Sequence, residues 1–161
     1  MRRRAENGSD EKLFPTCALA TARRTARLLT QLYDGHLSED GVEAAQFALL
    51  MMLDKAPDKG QAAVCRALGM DKTTLSRNLK VLRSRGWVAS QVGEDARERN
   101  LSLTEKGRSV LAKARPAWRR AQESLRSEMS EKEWKQMWGT MEAMTKASVA
   151  AMEGRRQVVK P

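Results

Sequence analysis

The stretch Asp71-Lys72-Thr73-Thr74-Leu75-Ser76-Arg77-Asn78-Leu79-Lys80-Val81-Leu82 decides how the chain is read. Wound at about 100° per residue, Leu75, Leu79 and Leu82 share one face of a helix, and Thr73, Ser76, Arg77 and Lys80 lie opposite. One face can pack. The other carries hydroxyls, a guanidinium and an ammonium, with no acid to repel a phosphate. Asp71 is placed as the N-cap, its carboxylate facing the backbone N–H groups of Thr73 and Thr74, and the helix ends near Arg85-Gly86. Such a face suits the major groove of double-stranded DNA. Thr and Ser hydroxyls reach bases or phosphates, Arg77 can bond a guanine edge through two N–H groups, and Lys80 suits the backbone; Lys72 and Thr74 complete the set. A solvated amphipathic helix would show the same two sides, so the neighbouring segments have to decide.

Upstream, a short helix over 60–68 stops at Gly69, a good C-terminal cap. Before it, a helix over 43–54 carries Phe47, Leu50, Met51 and Leu53 and closes ahead of Ala56-Pro57-Asp58. Downstream the period shortens to two. Trp87–Val92 and Arg99–Leu103 are strand-like runs, and the polar segment Gly93–Glu98 between them makes a hairpin tip. Residues 43–103 therefore spell a winged helix-turn-helix. Arg97 and Arg99 sit at and just beyond the tip, where a guanidinium can enter a minor groove whose narrow A·T tracts concentrate negative potential. Asp95 is read as an internal partner that orients one of these arginines. A plain polar hairpin is the alternative.

Long helices flank this lobe. Residues 14–36 carry apolar or small side chains at Phe14, Cys17, Thr21, Thr25, Leu28 and Leu32, with Gly35 and Gly41 bracketing the end. Thr104 caps a helix over 105–128 that Pro116 should bend. Ser130-Glu131-Lys132-Glu133 is a capping box, and the helix it opens carries Trp134, Met137, Trp138, Met141, Met144, Ser148 and Met152 on one face. Residues 1–12 and Gly154–Pro161 read as loose polar arms. The apolar stripe of the last helix is long for one chain, so a second copy is the economical cover; packing onto the first helix is the intrachain alternative. The fold class is mainly α with a small β-hairpin wing, in one domain spanning 1–161. Residues 13–36 and 105–153 are its dimerisation helices.

Composition narrows the function. The 161 residues are 41% hydrophobic, too many for a disordered tail, and carry 30 Lys plus Arg against 20 Asp plus Glu, a formal charge of +10. A polyanionic partner fits that charge through counterion release, either at a specific site or as a nonspecific architectural DNA-binding protein. Between residues 66 and 99, eight cations meet four acids, a local excess of four. Aromatics are only 4%, too few for a single-strand stacking platform. Cys17, Cys65 and His36 cannot make a four-ligand zinc site, and no other cofactor is implied. No Ser/His/Asp order or glycine-rich phosphate loop is present, so an enzyme is not expected. The longest apolar run, Phe47–Leu53, falls far short of the roughly 20 residues that span a bilayer, and no apolar segment follows Met1-Arg2-Arg3-Arg4. A soluble cytoplasmic protein with no membrane partner is the expectation.

The run from Ala67 to Leu82, followed by Arg85-Gly86-Trp87-Val88, resembles the multiple-antibiotic-resistance-regulator (MarR) family of bacterial transcription factors. Asp95-Ala96-Arg97-Glu98-Arg99 matches that family's D-x-R-x-R wing, and Leu101–Gly107 and Gln46-Phe47-Ala48-Leu49-Leu50 fit its flanking segments. The resemblance covers about residues 14–150. It implies a homodimer built on the first, fifth and sixth helices, with two winged lobes reading a palindromic operator, most often as a repressor. It also implies a signal. Similar proteins respond to small aromatic acids or related phenolics bound between the dimerisation helices and the winged lobe, which directs attention to Arg23, Arg24, Arg27, Tyr33, His36 and Trp118. Others respond to oxidation of a cysteine near the start of the first helix, where Cys17 stands. Tyr33 is the only tyrosine available to support such a thiol, and free cysteine is more often a small buried apolar residue, as Cys65 is expected to be.

Overall fold

The computed structural model describes residues 17–92 and 99–158. In chain order these form α1 (Ala18–Leu37), a 3-10 turn (Ser38–Asp40), α2 (Ala44–Lys55), β1 (Lys59–Gly60), α3 (Gln61–Leu68) and α4 (Lys72–Ser84). They continue with β2 (Val88–Val92), β3 (Arg99–Leu103), α5 (Glu105–Ser127) and α6 (Glu131–Val158). The chain divides into two compact units between Arg119 and Arg120.

The first unit holds the winged helix-turn-helix. Leu75, Leu79 and Leu82 of α4 are fully or almost fully buried, together with Phe47, Leu49, Leu50 and Leu53 of α2 and Leu101 and Leu103 of β3. Each such side chain contributes about 1.5–3 kcal/mol on leaving water, so the three leucines fix the roll of α4 about its axis. Gly69, at φ 62°, ends α3 in the left-handed region and turns the chain into α4. The sheet has the order β1-β3-β2 with both pairings antiparallel, Val88 facing Leu103 and Val92 facing Arg99. The two-residue β1, which pairs Lys59 with Leu101, has too little sequence to show a period and was not expected.

Helix α1 ends between Gly35 and Gly41 as expected, whereas the last helix runs past its expected end. Helix α1 runs through Gly35 to Leu37, and Cys17 occupies its N-cap; the expected start at Phe14 lies outside the described residues. Gly41, at φ 69°, closes the 3-10 turn that follows. The loose arm expected from Gly154 is helical through Val158. A single glycine costs a helix only about 1 kcal/mol relative to alanine, too little to stop one already 23 residues long. In this second unit Trp134 and Trp138 meet edge to face at 5.7 Å, and Arg126 lies over Trp134 and pairs with Glu131.

The wing is tied to α5 at one crowded joint. Thr104 Oγ1 donates to the Gly86 carbonyl at 2.7 Å and accepts from Gly107 N–H at 3.0 Å, capping α5 as expected. A side chain on Gly107 would place its Cβ 2.0 Å from the Trp87 carbonyl oxygen, which is backbone and cannot step aside. Gly107→Ala should therefore destabilise the lobe by at least about 2 kcal/mol, read as an earlier midpoint in urea denaturation followed by Trp fluorescence. An unchanged midpoint would contradict this approach of helix to strand.

Candidate nucleic-acid interface

The local chemistry of α4 sets out the candidate surface. Asp71 Oδ1 accepts the Thr74 N–H at 2.8 Å, and Asp71 Oδ2 accepts the Thr74 hydroxyl at 2.7 Å. These bonds hold the Asp71 carboxyl below its usual range. Beyond the cap, Lys72, Thr73, Ser76, Arg77 and Lys80 are all exposed, with Thr73, Ser76, Arg77 and Lys80 turned from the buried leucines and Lys72 in the first turn. Thr74 is exposed too, but its hydroxyl proton is committed to Asp71, which leaves its oxygen only as an acceptor. Asn78 is turned to its own helix, its Nδ2 donating to the Thr74 carbonyl at 3.1 Å. The helix thus offers two hydroxyls and two cations on one exposed face, with Lys72 beside it in a capped first turn.

Arg99 is exposed at the start of β3, opposite Val92. Arg97 and Asp95 lie outside the described residues. Among the eight cations counted between residues 66 and 99, Arg85 is exposed yet bonded to its own chain: its Nη1 donates to the Gly41 carbonyl at 2.7 Å and its guanidinium carbon lies 4.8 Å from the Trp87 ring centroid. Only its place just past the end of α4 could have signalled this in the sequence.

The candidate effector residues are not gathered by the described structure. Arg23, Arg24 and Arg27 are exposed on the first half of α1, while Tyr33 and His36 are half-buried near its end. At 1.5 Å per residue, Arg23 and His36 stand about 20 Å apart along one helix. Tyr33 and Trp118 both pack against the core of the first unit, and burial raises the Tyr33 phenol above its ordinary value. Trp118 stacks on buried Phe47 with ring centroids 6.1 Å apart. Cys17 is exposed, and its carbonyl accepts from the Thr21 N–H and hydroxyl; Cys65 packs partly buried against the core. Among the described residues, no group of three or more His, Cys, Asp or Glu could hold a metal ion, and no helix is long and apolar enough to cross a membrane.

A short helix, a tight turn, a second helix with a polar outer face and a sheet-rooted hairpin define a winged helix-turn-helix protein. Residues 40–98 match the family model described as the MarR family. The crystal structure of the M. tuberculosis transcriptional regulator MosR in complex with DNA is 34% identical, with a TM-score of 0.76, covering 84% of this chain and 98% of that one. The chain belongs to the MarR family. The PcaV transcriptional regulator of Streptomyces coelicolor, solved with its natural ligand, shares the fold at 22% identity and a TM-score of 0.74, covering 83% of this chain and 94% of that one. The HTH-type transcriptional regulator YwoH of Bacillus subtilis is 29% identical over 82 residues, 51% of this chain; the match spans only 60% of YwoH.

The Asp71 cap has a pH signature. Its folded pKa lies below the ordinary 3.8, so its contribution is complete above that value and is lost as pH falls through the lower folded pKa. Asp71→Asn keeps an oxygen acceptor without the titration. Circular dichroism through an acid titration should show a smaller acid-induced loss of helix in the variant than in the wild type. Superimposable curves would contradict the role of the cap.

Proposed function

We propose that the protein is a homodimeric transcriptional repressor that binds a palindromic double-stranded operator, with α4 in the major groove and the wing at the minor groove. The observation that carries the reading is the division of α4 into a buried leucine face and an exposed face of Thr73, Ser76, Arg77 and Lys80. The DNA complex of MosR, 34% identical, supports it. Phosphate contacts from Lys72, Lys80 and the wing position the lobe, while Arg77 reads a base edge.

Dimerisation through 13–36 and 105–153 is supported by apolar side chains left uncovered in each unit. Leu19 and Leu28 of α1 are 67% and 54% exposed, and Trp138 and Met152 of α6 are 52% and 57% exposed. Met144→Lys, on that α6 face, should shift the protein towards monomer in sedimentation and abolish cooperative operator binding. A dimer of unchanged stability would contradict this assignment. Release from DNA is assigned to a small aromatic acid or its thioester near Tyr33, His36 and Trp118; of the three α1 arginines, Arg27 stands nearest along the helix and is the candidate partner for its carboxylate. PcaV, a relative in fold, was solved with a natural ligand. The exposure of Cys17 favours a second signal, oxidation of its thiol by peroxide. A thermal-shift screen of aromatic acids with and without peroxide separates the two: release of DNA that Cys17→Ser abolishes would select oxidation.

DNA binding itself is tested by competition. Affinity for a duplex enriched from a randomised library should exceed that for mixed-sequence DNA by at least about 10³ at physiological salt, whereas a smaller ratio would select the nonspecific architectural reading. Arg77→Ala should relax sequence discrimination, costing about 1–3 kcal/mol at the base it reads, and Arg97→Ala should weaken all sequences evenly and reduce the salt slope by about one. If both variants bind like the wild type, α4 and the wing are not the DNA-binding elements.

A further inference from the structure

Arg85 is a cation beside the proposed DNA-binding helix, yet its contacts run inward. Its Nη1 donates to the carbonyl of Gly41, 44 residues earlier in the chain, at 2.7 Å, and lies 3.4 Å from Oε1 of Gln46. Gln46 is only 3% exposed and also receives the Glu43 N–H at 3.4 Å. The guanidinium carbon lies over the ring of Trp87, itself 7% exposed. Gly41 sits in the turn between α1 and α2, and a single carboxylate fastens the other side of that turn: Asp34 Oδ1, from the last turns of α1, accepts the N–H of Ala44, the first residue of α2, at 2.6 Å. The junction between the two helices is thus gripped by Asp34 on one side and by Arg85 on the other.

We propose that Arg85 is a positioning residue that latches the C-terminal end of α4 to the α1–α2 junction, so that the docking angle of α4 and the state of the end of α1 are set together. Lysine could supply the charge at this position. It could not donate to a carbonyl and a side-chain amide while spreading a planar, delocalised cation over an indole. The guanidinium keeps its charge, but its bonds go to neutral groups of this chain and none of them is free for a phosphate. A rearrangement around Asp34, which follows Tyr33 directly, would reach α4 through Gly41 and Arg85 without any contact to α4 itself. The consequence for operator binding rests on the DNA-binding reading; the latch does not.

The test uses the full chain, the enriched duplex and a mixed-sequence duplex. Arg85→Gln should weaken binding to the enriched duplex by about tenfold, within the usual range for coupled sites. It should leave the salt slope and mixed-sequence affinity unchanged, and Arg85→Lys should fail to restore the loss. Adding Asp34→Ala to Arg85→Gln should lose less than the product of the two single losses, because both act through one junction. In the absence of DNA, hydrogen exchange across residues 41–46 should quicken in Arg85→Gln while α3 exchanges as in the wild type. Full rescue by lysine with a slope reduced by about one in Arg85→Gln would make Arg85 a phosphate contact and overturn the proposal. Losses that simply multiply would overturn the coupling, and unaltered exchange across 41–46 would overturn the latch. Should the wild type fail to discriminate the enriched duplex, the DNA-binding reading falls while the exchange result still decides the latch.

Discussion

Leu75, Leu79 and Leu82 cannot all enter the core without turning Thr73, Ser76, Arg77 and Lys80 to the outside, and the candidate surface follows from that constraint. The three leucines together remove several kcal/mol of apolar surface from water, more than any rearrangement of exposed hydroxyls and cations would return. Asp71 then fixes where the helix begins, because its carboxylate takes the Thr74 N–H and hydroxyl that the first turn would otherwise leave to solvent. The surface that remains is polar, cationic and free of acids, which is what a phosphate backbone requires of a partner.

Among the joints between this lobe and its surroundings, two serve different ends. At the Thr104–Gly107 joint, backbone approaches backbone so closely that only glycine fits, and the wing strand is seated on α5. At Arg85 the contact is made by one long side chain reaching a carbonyl and a ring. The first joint resists change by steric contact; the second is held by directional bonds that can be broken and remade. On the proposed reading, the first is a rigid root for the element that would read DNA and the second a coupling through which its attitude can alter.

What was legible in the sequence was local. The leucine spacing of α4, the caps at Asp71, Thr104 and Ser130 and the strand limits Arg99–Leu103 each depend on residues a few positions apart, and the structure reproduces them. The Arg85–Gly41 and Asp34–Ala44 bonds and the Gly107–Trp87 approach join segments that no short-range pattern connects. Strand β1 owes its existence to pairing with β3 and not to its own two residues. On the candidate interface, exposure of the α4 face could be read from periodicity. That the Thr74 hydroxyl is committed to Asp71 and the Arg85 charge to Gly41 could not, because the sequence gives residue types but not which bonds their donors make.

On the proposed reading, two copies of α4 lie in successive major grooves of one duplex. Protection of guanine N7 from methylation, measured on the enriched duplex, tests it most directly because that atom lies in the major groove. Two protected clusters related by two-fold symmetry and spaced about one helical turn, or about 34 Å, are expected. Protection spread evenly along the duplex, or none within the enriched sequence, would contradict the claim.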